Sequence, residues 1–197
     1  MKFRPQELIT LGIFSVIIIV INMAINMLAV FTPFLIPFTK SLSGLIAGIP
    51  FMLYLTRVKQ GGLIGLMALV LAIIMVLAGD YVLTLASALV AGVIADVICQ
   101  TARKNQNRAL LLLGYSVFNL WSAGGILPLL FMRKEIEAQV AQQLGAEYAH
   151  SFTALFSVPV VCWTLVGIFA SGLLGAFIGL KMLNKHFIRA GLVQNNG

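Results

Sequence analysis

A chain of 197 residues in which 60% are hydrophobic and only 10% are charged is too apolar for an ordinary soluble domain. The net charge of +7 does not indicate a nucleic-acid-binding face, because the cations lie in short clusters at the ends of long apolar runs. We therefore expect a single polytopic helical membrane domain, residues 1–197, whose surroundings are the lipid bilayer and which has no nucleic-acid partner.

Six apolar runs predict an all-α integral membrane protein with six transmembrane helices, since a ~30 Å hydrocarbon layer needs about 20 apolar residues per crossing. The predicted helices cover approximately residues 8–31, 41–55, 63–78, 82–101, 109–131 and 152–180. A loop with two prolines separates the first two helices, and the second is short enough to begin within that loop.

An amphipathic segment, residues 133–148, lies between the last two predicted helices. Ile136, Val140, Leu144 and Tyr148 recur in it at steps of four. This spacing predicts a short helix on the outer membrane surface, ended by Gly145. The segment is either a lid over a pocket or a long connection, and its position after the fifth helix favours the lid.

The distribution of positive charge predicts the orientation of the bundle. With six spans, both termini lie on one side of the membrane, together with the loops after the second and fourth helices. Most of the 13 Lys and Arg residues fall on that side: Lys2, Arg4, Arg57, Lys59, Arg103, Lys104, Arg108, Lys181, Lys185 and Arg189. Only Lys40, Arg133 and Lys134 fall on the other side. The excess of cations predicts that both termini are in the cytoplasm.

Polar side chains inside the predicted spans are the first candidates for a binding site. Asn22 and Asn26 share one face of the first helix, where they bind either a ligand or, more commonly, a neighbouring helix. On the fifth helix, Tyr115, Asn119 and Ser122 follow i, i+4, i+7 spacing. A polar seam between helices and a pocket lining explain this stripe equally well. Trp121 and the pair Gly124-Gly125 lie beside it.

Other isolated polar residues have simpler explanations. Asp96, the only acid inside a predicted span, is expected to pair with Arg103 or another cation near the inner end of the fourth helix. His150 is the only histidine on the outer side, since His186 lies in the cytoplasmic tail. No second ligand stands at metal spacing from His150, so no metal site is expected.

Small residues recur four apart in several predicted helices and permit close helix contact. The pairs and runs are Gly44/Gly48, Gly61/Gly65, Ala88/Gly92 and Ser171/Gly175/Gly179. Packing within the bundle explains most of them, and the last run is also suited to contact with another subunit.

The motifs that the sequence lacks exclude several functions. There is no Walker lysine loop for ATP hydrolysis, no His-Glu-x-x-His motif, no nucleophile elbow and no pair of intramembrane carboxylates. We therefore expect no enzyme activity and no intrinsic cofactor. The absence of a charged ring argues against a channel, and the absence of an inverted repeat weakens the case for a stand-alone transporter.

Five stretches of the chain resemble the Trep_Strep family of small bacterial integral membrane proteins. They are LITLGIFSVIIIVINMAINML, IAGIPFMLYLTRVKQGG, YSVFNLWSAGGILPLLFMRKE, GAEYAHSFTALF and GLLGAFIGLKMLNKHFIRAGLV. Members of this family are regarded as S components, the substrate-binding subunits of energy-coupling factor (ECF) transporters. The resemblance implies a six-helix S-component fold that captures a micronutrient outside the cell. A transmembrane coupling subunit and two ATPase subunits, which use the ATP, would be its partners.

The resemblance also implies where the substrate and the coupling subunit bind. The pocket of an S component opens outward between the outer parts of helices four to six and the loop after helix one. With Asn26 added from the polar pattern, the candidate substrate-binding residues are Asn26, Phe34, Tyr81, Asn119, Trp121, Ser122, Tyr148, His150 and Phe156. Many S components carry an Ala-x-x-x-Ala surface on helix one for the coupling subunit. Its nearest equivalent here is Gly12 with Ser15 and Val16, which departs from that pattern.

The outer cluster is aromatic and rich in amides, which suits a flat, largely apolar ligand with polar edges. A haem-like tetrapyrrole is the first candidate substrate, with Tyr148 and His150 as candidate axial ligands. A vitamin and a modified nucleobase are the alternatives.

Overall fold

The computed structural model describes residues 4–183, most of which lie in eight α-helices and four short 3₁₀ segments. The helices are α1 (Pro5–Asn26), α2 (Ile36–Arg57), α3 (Leu63–Leu77), α4 (Leu83–Lys104), α5 (Arg108–Asn119), α6 (Arg133–Leu144), α7 (Ala146–Leu155) and α8 (Val158–Met182). The 3₁₀ segments are Met27–Val30, Pro33–Leu35, Leu120–Gly125 and Leu127–Leu130. Residues 4–183 contain no β-strand. Lys2, Lys185, His186 and Arg189 lie outside the described residues.

Six helices, α1–α5 and α8, run alternately up and down between the two ends of a bundle. At one end, Glu7 Oε1 of α1 accepts a hydrogen bond from Lys59 N in the α2–α3 loop, at 3.0 Å. We call this the basic end, because it carries most of the described cations: Arg4, Arg57, Lys59, Arg103, Lys104, Arg108 and Lys181. At the opposite end, the far end, the hydroxyl of Tyr148 in α7 donates to Ala29 O just after α1. Helices α6 and α7 lie at this far end.

The lengths of the helices support only part of the predicted span count. Within residues 4–183, four segments are long and apolar enough to cross a membrane: Pro5–Val30, Pro33–Arg57, Leu83–Lys104 and Val158–Met182. Helix α3 has 15 residues and α5 has 12. The prediction of an all-helical membrane protein is confirmed, whereas the count of six spans is not.

Two of the predicted helices are interrupted. The helix predicted over residues 109–131 is wrong beyond Asn119, where α5 ends and the chain continues in 3₁₀ segments. Gly124 lies against the backbone of Thr84, and Pro128 has no N–H to donate, so the regular α-helix is not maintained. Because Gly124 has no side chain, the backbone after α5 lies directly against the backbone of α4.

The helix predicted over residues 152–180 is wrong at its start. Phe152 belongs to α7, and the chain breaks at Phe156 and Ser157 before α8 begins. Ser157 is extended, and Pro159 lies in the first turn of α8, where its missing N–H removes no intrahelical hydrogen bond. The other predicted helices agree within a few residues, and α2 begins at Ile36 inside the proline-containing loop, as predicted.

Small residues bring neighbouring helices into close contact, as the sequence predicted. A Cβ atom added at Gly175 of α8 would lie 2.5 Å from Leu45 O of α2, and one at Gly179 would lie 2.8 Å from Gly48 O. The run that includes Gly175 and Gly179 therefore packs against α2 inside the chain.

Asp96 makes different contacts from those predicted. Its carboxylate accepts hydrogen bonds from Gly62 N at 2.8 Å and Ile64 N at 3.2 Å, and so it caps the N-terminus of α3. Gln100, one turn further along α4, also donates to it. Arg103 instead donates to Leu55 O at 2.9 Å. The expected Asp96–Arg103 pair is wrong, because the first N–H groups of α3 lie closer to the carboxylate than the guanidinium does.

Two hydrophobic clusters hold the molecule together. The larger lies inside the bundle around Phe51, whose ring centroid is 4.4 Å from that of Phe118 and 4.7 Å from that of Tyr115. The smaller lies at the far end, where Ile136 of α6 and Phe152 of α7 pack against Val161 of α8. The second cluster fixes α6 and α7 on the end of the bundle.

Candidate functional site

The polar stripe on α5 lies in the interior and joins helices to one another. Asn119 Nδ2 donates to Ile168 O of α8 at 2.8 Å, and the Tyr115 hydroxyl donates to Gly44 O of α2 at 2.5 Å. Ser122 Oγ donates to Asn119 O at 3.2 Å. All three side chains are buried. Of the two explanations of this stripe, the structure supports the interhelical seam.

Trp121 is also buried, with only 2% of its surface exposed. Its carbonyl oxygen accepts a hydrogen bond from Ser87 Oγ of α4 at 2.8 Å, and Ser87 Oγ in turn accepts one from Gly124 N. The indole is part of the larger hydrophobic cluster. The 3₁₀ turn therefore buries the tryptophan instead of presenting it at the outer surface.

One of the two amides of α1 holds α1 to α2. Asn22 Oδ1 accepts a hydrogen bond from Ser43 Oγ of α2 at 3.3 Å. This bond is of the interhelical kind that the sequence favoured for the pair. Asn26 Nδ2 instead donates to Asn22 O at 2.8 Å, within α1. Asn26 remains partly accessible near the far end.

A hollow that contains two of the predicted site residues lies at the far end, between the chain after α1 and helix α7. We call it the far-end groove. It has a volume of about 450 Å³. Its lining residues are Phe31, Thr32, Pro33, Phe34, Leu144, Glu147, Tyr148, Ser151 and Leu155. Phe34 and Tyr148 were predicted site residues, and the structure brings them to opposite walls of one groove.

Tyr148 is anchored at the edge of this groove. Its hydroxyl donates to Ala29 O at 2.7 Å, and its ring stacks on Phe152 with centroids 6.5 Å apart. Burial raises the pKa of the Tyr148 hydroxyl above its ordinary value. The hydroxyl is therefore a neutral donor at neutral pH, and the ring forms a fixed wall.

His150 does not line the groove. It is exposed and lies two positions after Tyr148 on α7. Residues two apart on a helix point to different sides, so the two candidate haem ligands do not face one common space. Among residues 4–183, no group of three or more His, Cys, Asp or Glu side chains is placed to hold a metal ion.

The remaining predicted residues lie near α6. Tyr81 lines a smaller cavity of about 260 Å³ beneath α6, together with Glu135 and Gln139. Phe156 is buried against Phe152, with centroids 5.1 Å apart. Helix α6 thus covers the Tyr81 cavity, whereas α7 forms the wall of the far-end groove.

The predicted amphipathic segment forms a helix over Arg133–Leu144, but its apolar stripe is buried only in part, because Leu144 is 43% exposed and Tyr148 belongs to α7. Ile136 is 1% exposed and belongs to the far-end cluster. Arg133 ties the start of α6 to the bundle by donating to Leu129 O at 3.1 Å and to Phe156 O. Gly145 ends α6 with a φ of +93°, which favours glycine.

The far-end groove includes residues that the sequence did not single out. They are Phe31, Glu147 and Ser151. Tyr148, Ser151 and Leu155 of α7 recur three or four positions apart, which is the spacing of one helix face, whereas Leu144 is the last residue of α6. This pattern was visible in the sequence, but the stripe was followed only as far as Tyr148.

A third hollow opens sideways from the bundle between α4, α5 and α8. It has a volume of about 660 Å³, and its lining is almost entirely apolar, including Val90, Leu120 and Phe169. Such a lining favours contact with apolar groups over contact with water.

The residues predicted to contact a coupling subunit lie on two sides of α1. Val16 is 58% exposed, and a Cβ atom added at Gly12 would meet nothing within 4 Å. Ser15 is buried, and its hydroxyl has no hydrogen-bond partner among residues 4–183. Gly12 and Val16 are thus on the outer face of the bundle, while Ser15 faces its interior.

Comparison with known protein families gives one match. A family described as a hypothetical bacterial integral membrane protein (Trep_Strep) matches residues 6–189. No curated protein and no solved structure matches the chain.

Proposed function

The chain belongs to the Trep_Strep family of bacterial integral membrane proteins, and from this premise we propose that it is the substrate-capture (S) component of an ECF transporter. In this role it binds a micronutrient outside the cell and delivers it inward together with a transmembrane coupling subunit and two ATPase subunits. The chain itself is not an enzyme and uses the ATP hydrolysed by its partners.

The observation that carries this proposal is the far-end groove. It is a hollow of about 450 Å³ at the end of the bundle opposite the cation clusters, with a lining that mixes aromatic rings and polar groups. Small-molecule sites typically have volumes of about 300–1,000 Å³ and this kind of lining. The positive-inside rule assigns the basic end to the cytoplasm, so the groove faces outward.

The low charge of the bundle fits movement within the membrane. S components are thought to topple in the bilayer as the ATPases cycle, and each charge moved through the hydrocarbon centre costs at least about 2.5 kcal/mol. Six helical segments, including the short α3 and the interrupted α5, then cross the membrane. Gly12 and Val16 on the outer face of α1, with Ser15 behind them, are the proposed contact with the coupling subunit.

The substrate of this proposal is a flat, largely apolar micronutrient with polar edges. Haem is the first candidate to test, followed by a vitamin or a modified nucleobase. His150 lies outside the groove and the Tyr148 hydroxyl bonds Ala29 O, so haem ligation by either side chain requires that side chain to move. Such ligation, tested by titrating haem into the purified protein, would give a Soret band, shifted from that of free haem, that changes in Tyr148→Phe or His150→Ala. An unchanged Soret band in both variants removes haem with these ligands and leaves the other two substrate classes.

Copurification tests the function itself. The tagged chain, expressed in its native membrane, should retain the coupling subunit and both ATPases, and liposomes should take up substrate only when all of these subunits are present. Uptake by the chain alone would instead support a stand-alone transporter.

A further inference from the structure

The far-end groove combines aromatic rings with a single carboxylate. Phe31 and Phe34 contribute rings from the chain after α1, and Tyr148 contributes one from α7. Glu147, the neighbour of Tyr148 on α7, lines the same groove. The faces of aromatic rings carry negative potential, so both kinds of group favour a positive charge between them.

The two phenylalanines are exposed, as are many apolar side chains of this bundle. Phe31 is 84% exposed and Phe34 is 60% exposed. Aromatic residues at a membrane surface are commonly Trp and Tyr, whose polar atoms hold the ring at the headgroups. Phenylalanine has no such atom, and Phe34 lies at the start of the apolar segment Pro33–Arg57, so lipid contact accounts for exposure on the outer side of the rings. A ligand seated between the rings would remove apolar surface from water.

Glu147 has no cationic partner in the part of the chain that the structure describes. No Lys, Arg or His side chain of residues 4–183 forms an ion pair with its carboxylate. The residue lies in the first turn of α7, where a negative charge is favourable. Among residues 4–183 its carboxylate accepts no hydrogen bond either. The only acidic side chain of the groove is therefore free to receive a cation.

We propose that the far-end groove binds an organic cation: a positively charged nitrogen, paired with Glu147, on an apolar or aromatic body that packs between Phe34 and Tyr148. The inference rests on the proposed function, since it makes the captured nutrient cationic. Among the substrate classes of the proposed function, it favours a cationic vitamin or nucleobase over a tetrapyrrole, whose carboxylates carry the opposite charge. The Tyr148 hydroxyl is already bonded to Ala29 O, which leaves the ring face as its contribution.

Three probes of similar size and different charge test the proposal. Benzylammonium, benzyl alcohol and benzoate are titrated into the full-length protein in lipid nanodiscs, and binding is followed by ligand-observed NMR. Benzylammonium should bind most tightly and benzoate least. Glu147→Gln keeps the size of the side chain, and it should weaken benzylammonium by roughly threefold to tenfold while leaving benzyl alcohol unchanged.

Two further variants separate charge from shape. Phe34→Leu should weaken benzylammonium more than benzyl alcohol, because it removes a ring face but keeps an apolar side chain. Glu137→Gln on α6 removes an acid outside the groove and should change neither affinity. Equal binding of the three probes, tighter binding of benzoate, or an equal loss in the Glu147 and Glu137 variants would overturn the proposal.

The proposed function is tested separately by copurification with the coupling subunit and ATPases. A chain that retains these partners but prefers benzoate is an S component with a different substrate class. A chain that prefers benzylammonium but retains no partners binds cations in another role.

Discussion

At the scale of single residues, Tyr148 connects the outer helices to the bundle. Its hydroxyl bonds Ala29 O at the end of α1, across 119 residues of sequence. Burial raises the pKa of this hydroxyl. In the unfolded chain the hydroxyl loses its proton near pH 10, whereas in the folded chain it keeps the proton to a higher pH. Tyr148 therefore stabilises the fold fully below about pH 10, and this contribution is lost as the pH rises through the raised pKa.

Tyr148→Phe tests this linkage. At neutral pH the variant should unfold at a lower temperature, because a hydrogen bond worth about 0.5–1.5 kcal/mol is lost. The difference from the wild type should shrink above about pH 10, where the wild type loses its own contribution. The unfolding temperatures of the variant and the wild type, measured in detergent from pH 7 to about pH 11, give this difference at each pH. If the two unfolding temperatures differed by the same amount at every pH, the stability of the fold would not depend on the proton of Tyr148.

Asp96 gives a second prediction at this scale. Asp96→Ala leaves the N–H groups of Gly62 and Ile64 without the carboxylate, and it should cost about 2–3 kcal/mol of unfolding free energy. Arg103 bonds Leu55 O and Lys59 O and so holds the same α2–α3 connection that Asp96 caps, and the two charges attract through space. The cost of Arg103→Gln should therefore depart from additivity in the double variant by about 0.5–1 kcal/mol. A coupling of several kcal/mol would restore the ion pair predicted from the sequence.

At the scale of helices, the sequence predicted α1 to α4 well and α5 and α8 poorly. The first four are apolar runs bounded by charges, glycines or prolines, and these signals are local. Helix α5 ends at Asn119, whose amide bonds Ile168 of α8, and the chain then turns so that Gly124 reaches Thr84 of α4. Those contacts join residues distant in sequence, so hydrophobic periodicity could not reveal where the helix stops.

Close packing of α2 and α8 is the property of the helices most open to test. Gly175→Ala should destabilise the fold by about 1–3 kcal/mol, because the new Cβ atom would lie 2.5 Å from Leu45 O and push the helices apart. Gly12→Ala is the matched control on the open face of α1, and it should raise stability by about 0.5–1 kcal/mol through helix propensity alone. Unfolding temperatures in detergent report both changes. Similar effects at the two positions would show that α2 and α8 are not in close contact.

At the scale of the whole molecule, composition was enough to predict a helical membrane protein, but the site was predicted only in part. Phe34 and Tyr148 lie on opposite walls of the far-end groove, while Asn119, Trp121 and Ser122 are buried in the bundle. The spacing of polar residues places them on one helix face. Whether that face meets a cavity or another helix depends on how the helices pack, and that information is not local.

The orientation of the bundle decides whether the far-end groove faces the outside of the cell. In a Cys162→Ser background, His150→Cys introduces a thiol on exposed α7, and Asn105→Cys introduces one in the exposed turn after α4. The remaining Cys99 is buried. A membrane-impermeant maleimide should label position 150 in intact cells and position 105 only after permeabilisation, because the positive-inside rule predicts a cytoplasmic basic end. The reverse labelling pattern would show that the groove faces the cytoplasm. An S component that captures its substrate outside the cell could not work in that orientation.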